Sequence, residues 1–156
     1  MYSTPIILLV DDDTDDQDFF KEALKETDHN IQCITAKDGV EALSILQNME
    51  DPLVPDFIFL DQNMPRLSGL GCLREIKKIR SLKNSPIIMY STSHSEKDKA
   101  EAGFWGVNNF FIKTPCFKEL VAYLKGLTQL NVSLNSQSLI ANFHTRHQLK
   151  LTVCLY

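Results

Sequence analysis

Five short apolar runs, at 6–10, 31–35, 57–60, 87–90 and 109–112, punctuate this chain at intervals filled by segments of helical period. Each run is bounded by turn residues and is too short for a helix, so each is expected as a strand. Between them, Phe19, Phe20, Ala23 and Leu24 lie three and four residues apart, as do Val40, Leu43 and Leu46, then Leu70, Leu73 and Ile76, and finally Leu120, Val121 and Leu124. Such spacing gathers each set on one helical face. The segment 95–103 also reads as a helix, but Ala100 and Ala102 are outnumbered by charged neighbours, so it should be the most loosely held.

Strand and helix therefore alternate five times, the pattern of an α/β domain whose parallel sheet is covered on both faces. Right-handed crossovers leave few topologies, and the expected one is the doubly wound, flavodoxin-like order 2-1-3-4-5. In that order strands 1 and 3 are neighbours at the topological switch point, where ligands bind outside the carboxyl ends of strands. Strand 1 runs straight into Asp11, Asp12 and Asp13, and strand 3 into Asp61. An ionised carboxylate is not buried without a partner, and clustered carboxylates repel unless a hard cation such as Mg²⁺ relieves them. Asp11, Asp12 and Asp61 are thus a candidate metal site.

The 156 residues suit one domain of ordinary size, and 44% hydrophobic with 23% charged residues is a globular composition. No apolar run approaches the ~20 residues that span a bilayer, and the amino terminus has no basic region of the signal-peptide kind. A cytoplasmic protein is expected. Cys33, Cys72, Cys116 and Cys154 form no Cys-x-x-Cys pair, which argues against a zinc ribbon or redox motif and for reduced thiols. His144 and His147 with Cys154 nearby make only a weak metal clip. Net charge is −4, and residues 129–156 contain Arg146 and Lys150 but no acid, so the excess of acid belongs to the first 128 residues. That disfavours nucleic acid as a partner. The basic run Arg74, Lys77, Lys78, Arg80 and Lys83 is expected as the solvated face of one helix.

No phosphate-cradling Gly-x-x-x-x-Gly-Lys-Ser/Thr and no Gly-x-Ser-x-Gly elbow occurs, and Gly69-Leu-Gly71 has Arg74 where a dinucleotide fingerprint needs glycine. What remains at the carboxyl end of the sheet is Asp11, Asp12 and Asp61, then Ser91 and Thr92 after strand 4, then Lys113 after strand 5. Taken singly, the acids could merely cap a helix, as Asp13 is expected to do with Asp15, Asp16 and Asp18 near the positive dipole end. Lys113 could be a surface lysine and Ser91 a plain strand-terminal serine. Their joint occurrence in this order is what discriminates.

Over roughly residues 4–128 the sequence closely resembles the receiver domain of two-component response regulators. The resemblance rests on the acidic pair after strand 1, on Asp61 in Phe-Leu-Asp-Gln-Asn-Met-Pro-Arg-Leu-Ser-Gly69, on Ser91 in Met-Tyr-Ser-Thr, and on Lys113. Ser91 and Lys113 fall thirty and fifty-two residues beyond Asp61. The resemblance implies that Asp61 is a phosphoacceptor served by a phosphohistidine of a sensor histidine kinase or a phosphotransfer protein. It implies Mg²⁺ (or Mn²⁺) held by Asp12, Asp61 and the backbone carbonyl of Asn63, with Asp11 helping through water. It also implies phosphoryl contacts from Lys113 and Ser91, an influence of Asn63 and Thr92 on acyl-phosphate lifetime, and an aromatic switch residue at Phe110, which could equally be simple core. Phe110 lacks the hydroxyl of the tyrosine common there, and Lys113-Thr-Pro replaces the usual Lys-Pro, where a cis peptide bond is expected.

The implied function is phosphorelay signalling without turnover: the protein is consumed as the acceptor and then binds a downstream protein partner through the helix-4 and strand-5 face. A constitutive adaptor that keeps the fold without phosphorylation is the alternative, and the intact Asp11, Asp12, Asp61 and Lys113 set argues against it. No output domain is expected after residue 128. Residues 129–156 are expected as an extension, either a hairpin, an edge strand pairing with another chain in a homodimer, or a loose tail.

Overall fold

The computed structural model describes residues 5–28, 30–49, 54–83, 85–92, 95–107 and 109–133. Its elements in chain order are β1 (Ile6–Val10), α1 (Thr14–Thr27), β2 (Gln32–Ala36), α2 (Gly39–Asn48), β3 (Phe57–Leu60), α3 (Gly69–Ile76), β4 (Ile87–Ser91), α4 (Glu96–Phe104), β5 (Asn109–Ile112) and α5 (Phe117–Ser133). The five strands form one parallel sheet in the order β2-β1-β3-β4-β5. The expected order is thereby met, with β1 and β3 side by side. Three strands coincide with the runs read from the sequence, while β2 starts and ends one residue later and β4 runs one residue further.

The sheet is buried on both faces because consecutive residues of each strand point to opposite sides. Ile7, Leu9, Phe57, Phe59, Ile88, Tyr90 and Phe111 face one way, where α1 brings Phe20, Ala23 and Leu24 and α5 brings Leu120, Tyr123, Leu124 and Leu127. Leu8, Val10, Ile58, Leu60, Ile87 and Met89 face the other, against Leu46 of α2, Leu70, Leu73 and Ile76 of α3 and Ala102 of α4. Aromatic edges fill the first layer: the Phe20 and Phe59 rings meet at 4.8 Å and 68°, and Phe111 stacks on Tyr123 at 4.0 Å.

Each crossover helix begins on a side-chain cap, which supplies an acceptor to amides that have no partner within the helix. Asp13 accepts from the amides of Asp15 and Asp16, Asp38 from Glu41, Ser68 from Gly71 and Ser95 from Asp98. Helix α4 is the least anchored, as its sequence foretold: Ala102 is its one buried residue, and the ion pair of Glu101 with Arg74 ties it to α3.

One expectation needs correction. The basic run does not lie on a single helix, because α3 ends at Ile76 and the chain turns through Lys77 and Lys78 into a short 3-10 helix, Arg80–Leu82. A continued α-helix would have carried Arg80 and Lys83, four and seven residues beyond Ile76, onto the buried stripe. The turn instead seats Leu82 in the core at 1% exposure and leaves Arg80 and Lys83 exposed. Helix α5 also continues past residue 128 to Ser133. The hairpin, pairing strand or tail was expected from residue 129, but residues 129–133 are the end of α5; the remainder of it, and the clip of His144, His147 and Cys154, lie outside the described residues.

Among the described residues no helix is long and apolar enough to cross a membrane. Cys33, Cys72 and Cys116 are free thiols, and burial pushes Cys33 up to about 11 and Cys72 up to about 12, so neither is a ready nucleophile. The two-layer core makes a contrast that urea denaturation checks. Phe59→Ala, at a residue with no exposure in the middle of the sheet, should cost about 3–5 kcal/mol. Phe104→Ala, at a ring 83% exposed, should stay within about 0.5 kcal/mol of the wild type.

Candidate functional site

Strand register carries the acids to one place. The ladder runs one residue past the strand ends: the Asp61 amide donates to the Val10 carbonyl at 2.9 Å, and the Asp11 amide to the Ala36 carbonyl at 3.0 Å. Asp11 and Asp61 consequently emerge side by side at the carboxyl edge. Asp12 joins them, and ligand oxygens of the three lie within 4.8 Å of one another. Asp11 is fully buried, Asp61 is 6% exposed and Asp12 faces solvent. Asp13 turns away to cap α1, as expected of it, and its amide donates to Asp11 Oδ1 at 3.0 Å. Buried Gln17 on α1 donates to the Asp11 carbonyl at 2.6 Å, which fixes the backbone beneath the cluster.

Two like charges beside each other in a partly dehydrated crevice need an opposite one. Lys113 supplies it from the end of β5, where its amide donates to the Ser91 carbonyl at 2.9 Å. Its Nζ lies 2.7 Å from Asp11 Oδ2, 2.7 Å from Asp16 Oδ2 and 3.4 Å from Asp61 Oδ2, with the side chain only 10% exposed. Burial by itself would lower the Lys113 pKa, but the pairing of its ammonium with the Asp11 and Asp16 carboxylates, which accept from it, and the charges of Asp11 and Asp61 overcome that and hold it above the ordinary lysine range. The Asp11 pKa is raised as well: burial, helped by the charge of Asp61, lifts it against the lowering pull of Lys113 and the Asp13 amide. The Lys113 ammonium also stands 5.5 Å from the centroid of the Tyr90 ring.

The remaining expected residues fall around this cluster with different degrees of contact. Ser91 ends β4 fully buried, and its Oγ has no hydrogen-bond partner among the described residues. Thr92 follows it into solvent. Exposed Asn63 donates its amide to Asp61 Oδ1 at 3.4 Å, which keeps its peptide beside the carboxylate. Phe110 is half-buried on the opposite face of β5 from Lys113 and packs against the layer that holds α2, α3 and α4.

Two residues had not been singled out from the sequence. Asp16 was read as one of several acids serving the helix dipole, yet it is a partner of Lys113. Its position was legible in principle: it is the third residue of a helix capped by Asp13, and helical side chains tilt toward the amino end, here toward the crevice. Gly69 is the other. A Cβ there would meet the Asp61 carbonyl oxygen at 2.3 Å and Gln62 Cα at 2.9 Å, while its amide donates to the Gln62 carbonyl at 3.0 Å. Glycine is what allows α3 to start against the backbone of Asp61. The same loop is held on its far side by the ion pair of Arg66, which takes a positive φ of 64°, with buried Asp38.

The donor set suits a hard divalent ion: three carboxylates, two of them recessed and one open to water. Mg²⁺ prefers oxygen ligands, keeps several waters and takes one or two carboxylates together with phosphate oxygens. A model of the response regulator receiver domain matches residues 7–125. The chain belongs to the response regulator receiver family.

Receivers of known structure and role accompany it. Response regulator Rcp1 of Synechocystis sp. is 33% identical over 125 residues, which cover 78% of this chain and 85% of that protein. The phosphorylated cyanobacterial phytochrome response regulator RcpA superposes with a TM-score of 0.75 at 30% identity, over 86% of this chain and 98% of that one. The Mn²⁺-bound form of Rcp1 does so at 0.70 and 30%, over 85% and 97%. This receiver is therefore a phosphoacceptor of two-component signalling, not a turnover enzyme, and its acidic triad fits Mg²⁺ or Mn²⁺, the latter being the ion bound in the Rcp1 structure.

Metal binding to the native state alone should raise its stability in step with occupancy. At ten times the dissociation constant, Mg²⁺ should add about 1.4 kcal/mol to this receiver. Thermal melts with increasing Mg²⁺ check this, and Asp12→Asn should remove most of the gain. An equal rise in both proteins would place the ion elsewhere.

Proposed function

We propose that Asp61 is the phosphoacceptor, taking a phosphoryl group from the phosphohistidine of a sensor kinase or of a phosphotransfer protein. The observation that carries the reading is the setting of Asp61: it is recessed in mid-sheet, 3.4 Å from the Lys113 ammonium, beside a strand whose terminal hydroxyl, Ser91 Oγ, is buried without a partner. Positive charge and hydrogen-bonding capacity thus stand in reserve on the side where an anion would arrive. Asp11 is a poorer acceptor, since it is fully buried with Oδ1 taken by the Asp13 amide and Oδ2 paired to Lys113.

A carboxylate nucleophile needs no base to prepare it. In the transfer, the phosphorus–nitrogen bond to the donor imidazole breaks and a phosphorus–oxygen bond to the Asp61 carboxylate forms. The demand is for neutralisation of the phosphoryl oxygens more than for acid or base. Asp12, Asp61 and the Asn63 carbonyl would hold Mg²⁺, with Asp11 assisting through water, and the ion would supply part of that neutralisation. Lys113 takes a second oxygen as a compact point charge and Ser91 donates to the third. Thr92, at the exposed mouth, and Asn63, beside the carboxylate, border the path of attacking water and so tune the lifetime of the acyl phosphate.

Output follows from what Ser91 must do. Drawing its hydroxyl toward a phosphoryl oxygen disturbs the end of β4, and the element nearest at hand and most weakly held is α4, anchored by Ala102 and the Arg74–Glu101 pair. Phe110, half-buried in that layer, can turn inward as the gap opens. This is a two-state element biased by a local charge, and it would present the α4 and β5 face to a downstream protein. Residues 1–128 act as the receiver unit, α5 carries on from it to Ser133, and the extension that this helix leads into is a determinant of partner choice or of homodimer formation.

Incubation with acetyl phosphate and Mg²⁺ followed by intact mass measurement tests the assignment. The wild type should gain one phosphate and Asp61→Asn none, while Lys113→Ala should slow the gain by about a hundredfold. An unmodified wild type, or the same gain in Asp61→Asn, would contradict it.

A further inference from the structure

Lys113 is held more closely by two neighbouring acids than by the acceptor itself. An ammonium carries three N–H donors. Asp11 and Asp16 stand at 2.7 Å and Asp61 at 3.4 Å, so the ammonium is drawn most closely to two acids that are not the acceptor. A phosphoryl group on Asp61 brings new anionic oxygens that take over the long Asp61 contact and draw the ammonium toward them, so the two short contacts to Asp11 and Asp16 oppose its approach. Asp11 is the costly one to abandon, because its side chain has no exposure and water cannot take the place of Lys113 there. The Asp16 side chain is 41% exposed at the first turn of α1, where water can.

Resting on the reading of Asp61 as acceptor, we infer that Asp16 is a positioning residue: it holds Lys113 toward α1 in the unphosphorylated protein and must release it as the phosphoryl group is gained, so that it restrains phosphorylation. The geometry explains why Asp16 is suited to this. It sits three residues beyond the cap Asp13, on the helix whose backbone start is locked under Asp11 by Gln17, so its carboxylate is presented to Lys113 by a fixed piece of main chain. It is outside the triad whose oxygens converge, so releasing Lys113 does not disturb the metal ligands. It also gives α1 a direct electrostatic link to the acceptor, since any change at the start of that helix alters how firmly Lys113 is held. Asp16 touches no reacting atom. With acetyl phosphate as donor, the phosphorus–oxygen bond to acetate breaks, acetate leaves with the electron pair, and the new phosphorus–oxygen bond forms to Asp61.

The bland alternative is that Asp16 merely adds negative charge near an anionic donor. Asp15 supplies the control, being an adjacent exposed acid that is not among the partners of Lys113. Phosphorylation rates are to be measured at saturating Mg²⁺ over a range of acetyl phosphate concentrations for the wild type, Asp16→Asn, Asp16→Glu and Asp15→Asn. Asp16→Asn should raise the rate at saturating donor about fivefold, with Asp16→Glu nearer the wild type and Asp15→Asn changing it by under about twofold. In a Lys113→Ala background the gain from Asp16→Asn should vanish. Binding of beryllofluoride, a phosphoryl mimic that needs no transfer, gives the same comparison by calorimetry where that background is too slow, with about fivefold tighter binding expected for Asp16→Asn only when Lys113 is present. Equal effects of Asp16→Asn and Asp15→Asn, or a gain that survives the loss of Lys113, would overturn the inference while leaving Asp61 as acceptor. A wild type that takes up no phosphate would overturn the assignment of Asp61 and this inference with it.

Discussion

Carboxylates gathered at one edge of a buried sheet are unstable company, and a single ammonium holds this group together. Lys113 meets Asp11, Asp16 and Asp61 within 2.7–3.4 Å, and it does so from β5 while the acids come from β1, α1 and β3. The arrangement therefore depends on the parallel sheet keeping its order and register over four strands. Both faces of that sheet are filled by aliphatic and aromatic side chains, so a slip by one residue would turn apolar side chains outward and scatter the acids. The stability of the core and the chemistry of the edge rest on the same register.

The two sides of the site differ in stiffness, and the difference bears on signalling. Around Asp11 and Asp61 the backbone is pinned by continued ladder bonds, by Gln17, by the close approach at Gly69 and by the pair of Arg66 with Asp38. Around Ser91 the hydroxyl is unengaged and the next helix buries one residue. A charge placed on Asp61 meets a rigid floor and a yielding wall. Motion is expected toward α4 and β5, because little apolar burial opposes it there.

Much of this was legible in the sequence because the fold is written in periodicity. A parallel sheet buried on both faces needs continuous aliphatic runs, and β1, β3 and β5 coincide with theirs. The alternation and handedness left few strand orders, the commonest of them is the one adopted, and in it the acids at two strand ends meet. What escaped was set by tertiary context. The basic run around Arg80 looked like one helix face until the need to bury Leu82 broke it. Asp16 was indistinguishable from its neighbours Asp15 and Asp18, since only the folded position of Lys113 tells a dipole acid from an ion-pair partner. Asp11 read as an outlying metal ligand, whereas its complete burial against Lys113 gives it a structural duty as well.

The central claim is that this edge exists to let Asp61, and not its neighbours, carry a phosphoryl group. Borohydride reduces an aspartyl phosphate to homoserine, which tandem mass spectrometry of peptides locates to a single position. After treatment with acetyl phosphate and Mg²⁺, homoserine should appear at position 61 and be missing from positions 11, 12 and 16. Homoserine at any of those three with position 61 unchanged would contradict the account.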